Sequence, residues 1–206
     1  ATDASSVTSA CTARMLLACA ATACNAARRR PVITTSAPVA AKPSAKRNFE
    51  VIEGGVDPDI TDHAPEGSAT ASALAAMKAA EPGFNVGEFL RGARGAYEMI
   101  LMAFERGDID QIRPFLADEV EASFAEAIAA RKRDGHSVDA SFLGIRDLTL
   151  TEAEFDNASR TAEITVRFTG ELTSAVRDAA GTIVEGSATE VKRQRDAWTF
   201  SRRMGV

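Results

Sequence analysis

Two histidines, three cysteines and one acidic run are the groups in this chain whose types suit catalysis or metal binding. His63 lies in a stretch rich in Pro and Gly, and His136 just past a predicted helix end. Neither has a neighbour placed to make it a nucleophile activator or a metal ligand, so both read as loop histidines. Cys11, Cys19 and Cys24 follow a C-x7-C-x4-C spacing with no histidine or fourth thiolate beside them, which argues against zinc. Their confinement to the first 24 residues excludes a disulfide-stapled domain and favours a reducing compartment. Asp57, Asp59, Asp62 and Glu66 superficially resemble a calcium loop. The D-x-D-x-x-D spacing departs from that pattern, Pro58 intrudes, and no position-12 Glu aligns. There is no G-x-S-x-G, H-E-x-x-H, P-loop or C-x-x-C. The expectation is no catalytic residue, no metal ligand, no cofactor and no enzyme.

The remaining chemistry is charge. Residues 1–50 hold seven basic groups and two acidic ones, a net +5. The whole chain is −5, so residues 51–206 carry −10. A basic arm on an acidic domain suits an anionic membrane surface or a nucleic acid better than an acidic substrate; the plainer reading is a solvated tail. Within the acidic domain the one basic cluster is "KRQR", Lys192 to Arg195. On a strand, Lys192 and Gln194 face one way and Arg193 and Arg195 the other. A solvated sheet edge is the default, and contact with lipid headgroups or an acidic partner surface is the sharper alternative. With Trp198 as the only nearby stacking group, nucleic acid is not expected.

The elements that must position these groups start late in the chain. Residues 1–36 are mostly Ala, Thr, Ser, Cys and Arg, without an aromatic residue. Their ten-residue apolar run, "MLLACAATAC", falls short of the roughly 20 residues that span a bilayer. It is compatible with a short signal segment, and "LLAC" faintly with a lipoprotein cleavage box. Residues 37–83 read as a disordered Pro/Ala/Gly linker with a short Ala-rich helix at about 68–80, ended by Pro82 and Gly83. Order is expected from residue 84. Val86, Phe89, Leu90, Ala93, Ala96, Tyr97, Ile100, Leu101 and Phe104 recur at steps of three and one, a helical stripe that Met99 and Met102 widen. Gly92 and Gly95 weaken this helix and would let another backbone approach. A second helix, starting near Asp118, turns Val120, Phe124, Ala127 and Ile128 inward. After Gly135 the period becomes two. "SFLGIRDLTLTEAEFD", "TAEITVRFTGELTSAVRD" and "IVEGSATEVKRQRD" read as strands, and a last strand starts at Trp198. Ile164, Val166, Phe168 and Leu172 share one face of the second strand. Helices followed by an antiparallel meander predict an α+β fold, with helices on one face of a curved sheet of about four strands.

At this point the ordered part resembles a known family. The F-x-x-GA-x-x-A-x-x-x-I-x-x-AF-x-x-GD run (Phe89 to Asp108) is followed by the F-x-x-x-I-x-x-R helix (Phe124 to Arg131) and the D-x-W-x-F strand (Asp196 to Phe200). Together they are similar to the carboxy-terminal domain of the mitochondrial inner-membrane import translocase subunit Tim-forty-four and its alphaproteobacterial homologues, over about residues 84–206. The resemblance implies a cystatin-like, nuclear-transport-factor-like cone around an apolar pocket, lined here by Tyr97, Leu101, Phe104, Phe124, Ile128, Ile164, Val166, Phe168 and Leu172. It implies a non-enzymatic protein, peripheral on the cytoplasmic face of a bacterial inner membrane. Anionic phospholipid and translocase, chaperone or membrane-complex proteins are its implied partners. Phe89, Arg91, Arg94, Lys192, Arg193 and Arg195 are then the expected membrane or partner contacts. Relatives begin with a hydrophobic anchor helix and continue past the equivalent of Met204. Residues 1–36 are therefore read as non-native or as replacing an anchor, and the domain as truncated at its end. Two other readings stay open: an accessory subunit or assembly factor of a respiratory or ribosomal complex, and a small-molecule-binding or enzymatic cone. The last needs a polar or titratable group on the inward face.

Overall fold

The computed structural model describes residues 57–205 and the backbone of residues 32–34. The expectations for residues 1–31 and 35–56 lie outside the described residues. The elements are β1 (Val32–Thr34), α1 (Pro58–Thr61), α2 (Ala69–Ala80), α3 (Val86–Arg106), α4 (Ile109–Ile112) with a 3-10 turn (Arg113–Phe115), α5 (Asp118–Arg133), β2 (Ser137–Asp156), β3 (Thr161–Arg177) and β4 (Ile183–Arg203). The α+β class is observed: helices pack on an antiparallel sheet of three long strands, with β3 central.

The strand count differs from the four expected. "IVEGSATEVKRQRD" and the segment from Trp198 form one continuous strand, β4. No turn former separates them, and Asp196 and Ala197 stay in register with Phe168 and Arg167. The sheet's further member is the three-residue β1, paired in parallel with Thr199–Ser201 on the outer edge of β4.

From residue 57 onward the stretch read as linker holds ordered structure, and α2 lies at the place of the short helix expected at about 68–80. Asp57 caps α1 by accepting from Asp59 N, Ser68 caps α2 by accepting from Ala71 N, and Asn85 caps α3 by accepting from Glu88 N. Ile60, Ala64, Leu74 and Met77 are buried in the same core as the sheet. Burying Ile60, Leu74 and Met77 stabilises by about 1.5–3 kcal/mol each, which offsets the ordering of a segment otherwise rich in turn formers. The Ala-rich helix is legible in the sequence, but four widely spaced apolar residues are too faint a pattern to place the segment in the core.

Asp59 explains the acidic run that resembled a calcium loop. Its Oδ2 accepts from Val86 N at 2.9 Å and its Oδ1 from Gly87 N at 3.2 Å, so it caps α3 from a distant part of the chain. Lys78 pairs with both Asp57 (2.7 Å) and Asp59 (2.8 Å). Burial raises the Asp59 carboxyl. The Lys78 contact and the two backbone donors outweigh that and hold it below its ordinary value.

Helix α3 runs about 31 Å through the middle of the helical layer. Val86, Leu90, Ala93, Tyr97, Ile100, Leu101 and Phe104 are buried along it, as the stripe predicted. Gly107, with φ +75°, ends it in the left-handed conformation. Gly92 and Gly95 lie on its exposed side with nothing within 4 Å of an added Cβ, so no other described backbone approaches there.

Candidate functional site

The residues expected to line a pocket do not form one common lining. Tyr97 is fully buried, and its ring stacks on Phe168 at 4.4 Å and meets Trp198 at 4.8 Å. Gly170 makes the room: an added Cβ there would lie 3.0 Å from the Tyr97 hydroxyl. Leu101, Ile164, Val166, Phe168 and Leu172 are buried on the sheet side. Phe104 and Ile128, with Ala127, instead form a satellite cluster between α3 and α5, and half-buried Phe124 packs against both it and the main core, its ring centroid 4.6 Å from that of Phe104. Phe104 lies near the end of α3, where the helix faces α5.

The inward face of β4 adds polar groups that the sequence reading missed. Lys192, Gln194, Asp196 and Trp198 alternate inward there. Tyr97 Oη donates to Asp196 Oδ2 at 2.6 Å, and Gln194 Nε2 donates to the same oxygen at 3.0 Å. Burial pushes the Asp196 carboxyl up, only partly opposed by these two donors. Burial, with Asp196 beside it, pushes the Tyr97 hydroxyl well up. Further along, Glu105 is buried at the end of α3 and accepts from Ser174 Oγ at 3.5 Å. Burial raises its carboxyl too, against the pull of Arg131 and Lys192. The nearby Glu185 has a buried Oε1 with no hydrogen-bond partner. The period-two alternation from Lys192 to Trp198 carried the signal for Asp196. Cutting the strand between Asp196 and Trp198 hid it. Glu105 had no signal, because an acidic residue at a helix end normally reads as solvated.

The expected contact residues divide three ways. Phe89 is half-buried and packs edge-on against Phe200 at 5.6 Å, at the margin of the aromatic core. Lys192 turns inward toward Glu105. Arg91, Arg94, Arg193 and Arg195 are exposed. Arg91 pairs with Glu88 at 3.4 Å, and Arg94 Nη2 donates to Ile145 O at 3.5 Å. The next residue, Arg146, shares the Glu171 carboxylate with Arg193, at 3.4 and 3.0 Å. The β2 irregularity between Ile145 and Asp147 therefore brings Arg94 and Arg146 to one stretch of the sheet edge, with Arg193 across Glu171. Arg146 was not anticipated, since an isolated Arg in a strand pattern carries no signal without the register.

Among the described residues no group of three or more His, Cys, Asp or Glu is placed to hold a metal ion. No described helix is long and apolar enough to cross a membrane.

The model of one protein family, described as the Tim44-like domain, matches residues 70–206, about two-thirds of the chain. The chain belongs to the Tim44-like domain family. The match begins at α2 and takes in α3, α5 and all three long strands. Among solved structures, the intermembrane-space region of the chloroplast protein ARC6 is similar at 13% identity and a TM-score of 0.34, covering 53% of this chain and 80% of that one. A search of curated proteins finds no significant match. Membership of the Tim44-like family points to a membrane-associated, translocation-related role for this chain.

Proposed function

We propose that this Tim44-like chain is a non-enzymatic scaffold, peripheral on the cytoplasmic face of a bacterial inner membrane. In this reading it joins protein translocation or membrane-protein assembly by binding anionic phospholipid and membrane-complex proteins. The observation that carries the reading is the family match over residues 70–206. The net −10 of residues 51–206 opposes whole-domain attraction to anionic lipid, so contact has to be local. The exposed arginines Arg91, Arg94, Arg146, Arg193 and Arg195 supply local positive charge, and the basic residues 1–50 supply more. A cone-like wrapping of the sheet round α3 belongs to this reading, with Leu101, Ile164, Val166, Phe168 and Leu172 on its inner side.

Photo-crosslinkers placed at Arg91 and Arg193, in cells fractionated into membrane and cytosol, test it. The expected result is crosslinks in the membrane fraction to translocase, chaperone or membrane-assembly proteins. Crosslinks confined to ribosomal or respiratory subunits favour the accessory-subunit reading and overturn this one. A second reading has one specific observation behind it. Asp196 and Glu105 are the inward titratable groups that a small-molecule site requires. Asp196 already has Tyr97 and Gln194 as partners, and Glu105 has Ser174, which favours a structural role for both.

A further inference from the structure

Helix α5 (Asp118–Arg133) is held differently from every other long element. Its buried side chains are Ala127 and Ile128 alone, neither of them fully enclosed, and these face Phe104 in a cluster separate from the main core. Half-buried Phe124 and Val120 are its apolar contacts with the main core. Its amino terminus has no side-chain cap, because Ala117 stands at the capping position. Gly107 before it and Gly135 after it both adopt left-handed backbone, at φ +75° and +70°. Segments with few buried apolar contacts between permissive backbone joints open at lower free energy than the core they lean on.

One side chain concentrates the attachment. Arg131 Nη2 donates to Phe104 O at 2.6 Å, a second donor to a carbonyl in the last turn of α3 that also accepts from Gly107 N at 3.0 Å. Its guanidinium also lies 4.6 Å from the Phe104 ring centroid, in cation–π contact. Glu105, buried beside it, feels the Arg131 charge. The same Phe104 is the residue that Ala127 and Ile128 cover. Losing Arg131 therefore weakens the polar and the apolar parts of one contact together. At the other end of the helix, the Arg113–Glu121 pair at 3.0 Å is exposed and contributes little.

We infer that α5 opens as a unit separate from the sheet and α3, and that Arg131 is the latch that sets how often it does so. Opening uncovers Phe104 and Ile109 on one side and Phe124, Ala127 and Ile128 on the other. This holds whether or not the chain binds membranes, because it concerns only internal contacts.

Hydrogen exchange of the full chain, followed by peptide mass spectrometry, tests it. In the parent protein, amides of residues 118–133 are expected to exchange well before those of α3 and β3. Arg131→Gln is expected to speed exchange in 118–133 by about 10- to 100-fold, the loss of one charge-assisted hydrogen bond and a cation–π contact, while β3 stays unchanged. Arg131→Lys keeps the charge without the planar fork and is expected to fall between the two. Exchange of α5 in step with β3 in the parent overturns the inference. So does an Arg131→Gln variant whose α5 exchanges at the parent rate, or one that accelerates all elements equally.

Discussion

Tyr97→Phe isolates the polar contact at the centre of the sheet face. The phenyl ring retains the stack on Phe168 and the contact with Trp198, so little volume is lost. What goes is the 2.6 Å hydrogen bond to Asp196 Oδ2, leaving the Gln194 amide as donor to that oxygen at 3.0 Å. A bond to a charged group is worth about 1.5–3 kcal/mol, and a neutral one about 0.5–1.5 kcal/mol. The variant is therefore expected to lose about 1.5–3 kcal/mol at pH 8, or about 3–12 °C in Tm for a domain of this size. Acid should shrink the deficit. The Asp196 carboxyl lies above its ordinary value of 3.8 because burial penalises its charge. Its protonation therefore stabilises the fold: that gain is complete below pH 3.8 and is lost as pH rises through the folded value. Removing the Tyr97 donor raises the carboxyl further and enlarges the gain. Urea unfolding, read by the single Trp198 4.8 Å from the Tyr97 ring, measures both pH values. Repeating it in an Asp196→Asn background completes a double-mutant cycle. A deficit under about 0.5 kcal/mol at pH 8, or one of equal size in the Asp196→Asn background, refutes the reasoning.

Other perturbations follow from the same contacts. Gly186→Ala puts a Cβ 2.1 Å from Ser174 O on backbone at φ +75°, and should cost about 2–4 kcal/mol in urea unfolding. Gly95→Ala meets nothing within 4 Å on an exposed helix face, and should stabilise by about 0.5–1 kcal/mol in the same assay. Asp59→Ala removes the acceptor for the first two N–H groups of α3, leaving the Asn85 cap, together with one Lys78 partner, and should cost about 1–2 kcal/mol at neutral pH. The Asp59 carboxyl is held low, so its contribution is present above pH 3.8 and fades as pH falls through the folded value; the variant should lack that acid loss in a pH series. Glu105 has the opposite sign. Its raised carboxyl makes Glu105→Gln stabilising at pH 8 and neutral below 4.5, as denaturant midpoints at the two pH values would show.

Periodicity served best where one face is buried over several turns. The α3 stripe and the β3 alternation were legible because each repeats its own period many times. In the span from Ile60 to Met77 the Ala-rich helix was legible but its burial was not, since its buried residues are few and stand among Ala, Gly and Pro. The continuity of β4 was missed because nothing local distinguishes a strand that runs on from one that restarts. Phe89 shows a different limit. An aromatic residue beside two arginines near a helix start reads equally well as a surface anchor or as core. Only the position of Phe200, more than a hundred residues later, decides it. Register likewise joined Arg94, Arg146 and Arg193 through Ile145 and Glu171, a grouping with no trace in local sequence.

Co-sedimentation of the full chain with vesicles is the most direct measurement of the membrane-scaffold account. Cardiolipin-containing vesicles at low salt should pull the protein down, phosphatidylcholine vesicles should not, and raised salt should reverse the binding. Replacing Arg91, Arg94, Arg193 and Arg195 together by Gln should weaken it. A full chain that stays in solution with cardiolipin at low salt, or binds both vesicle types equally, contradicts the account.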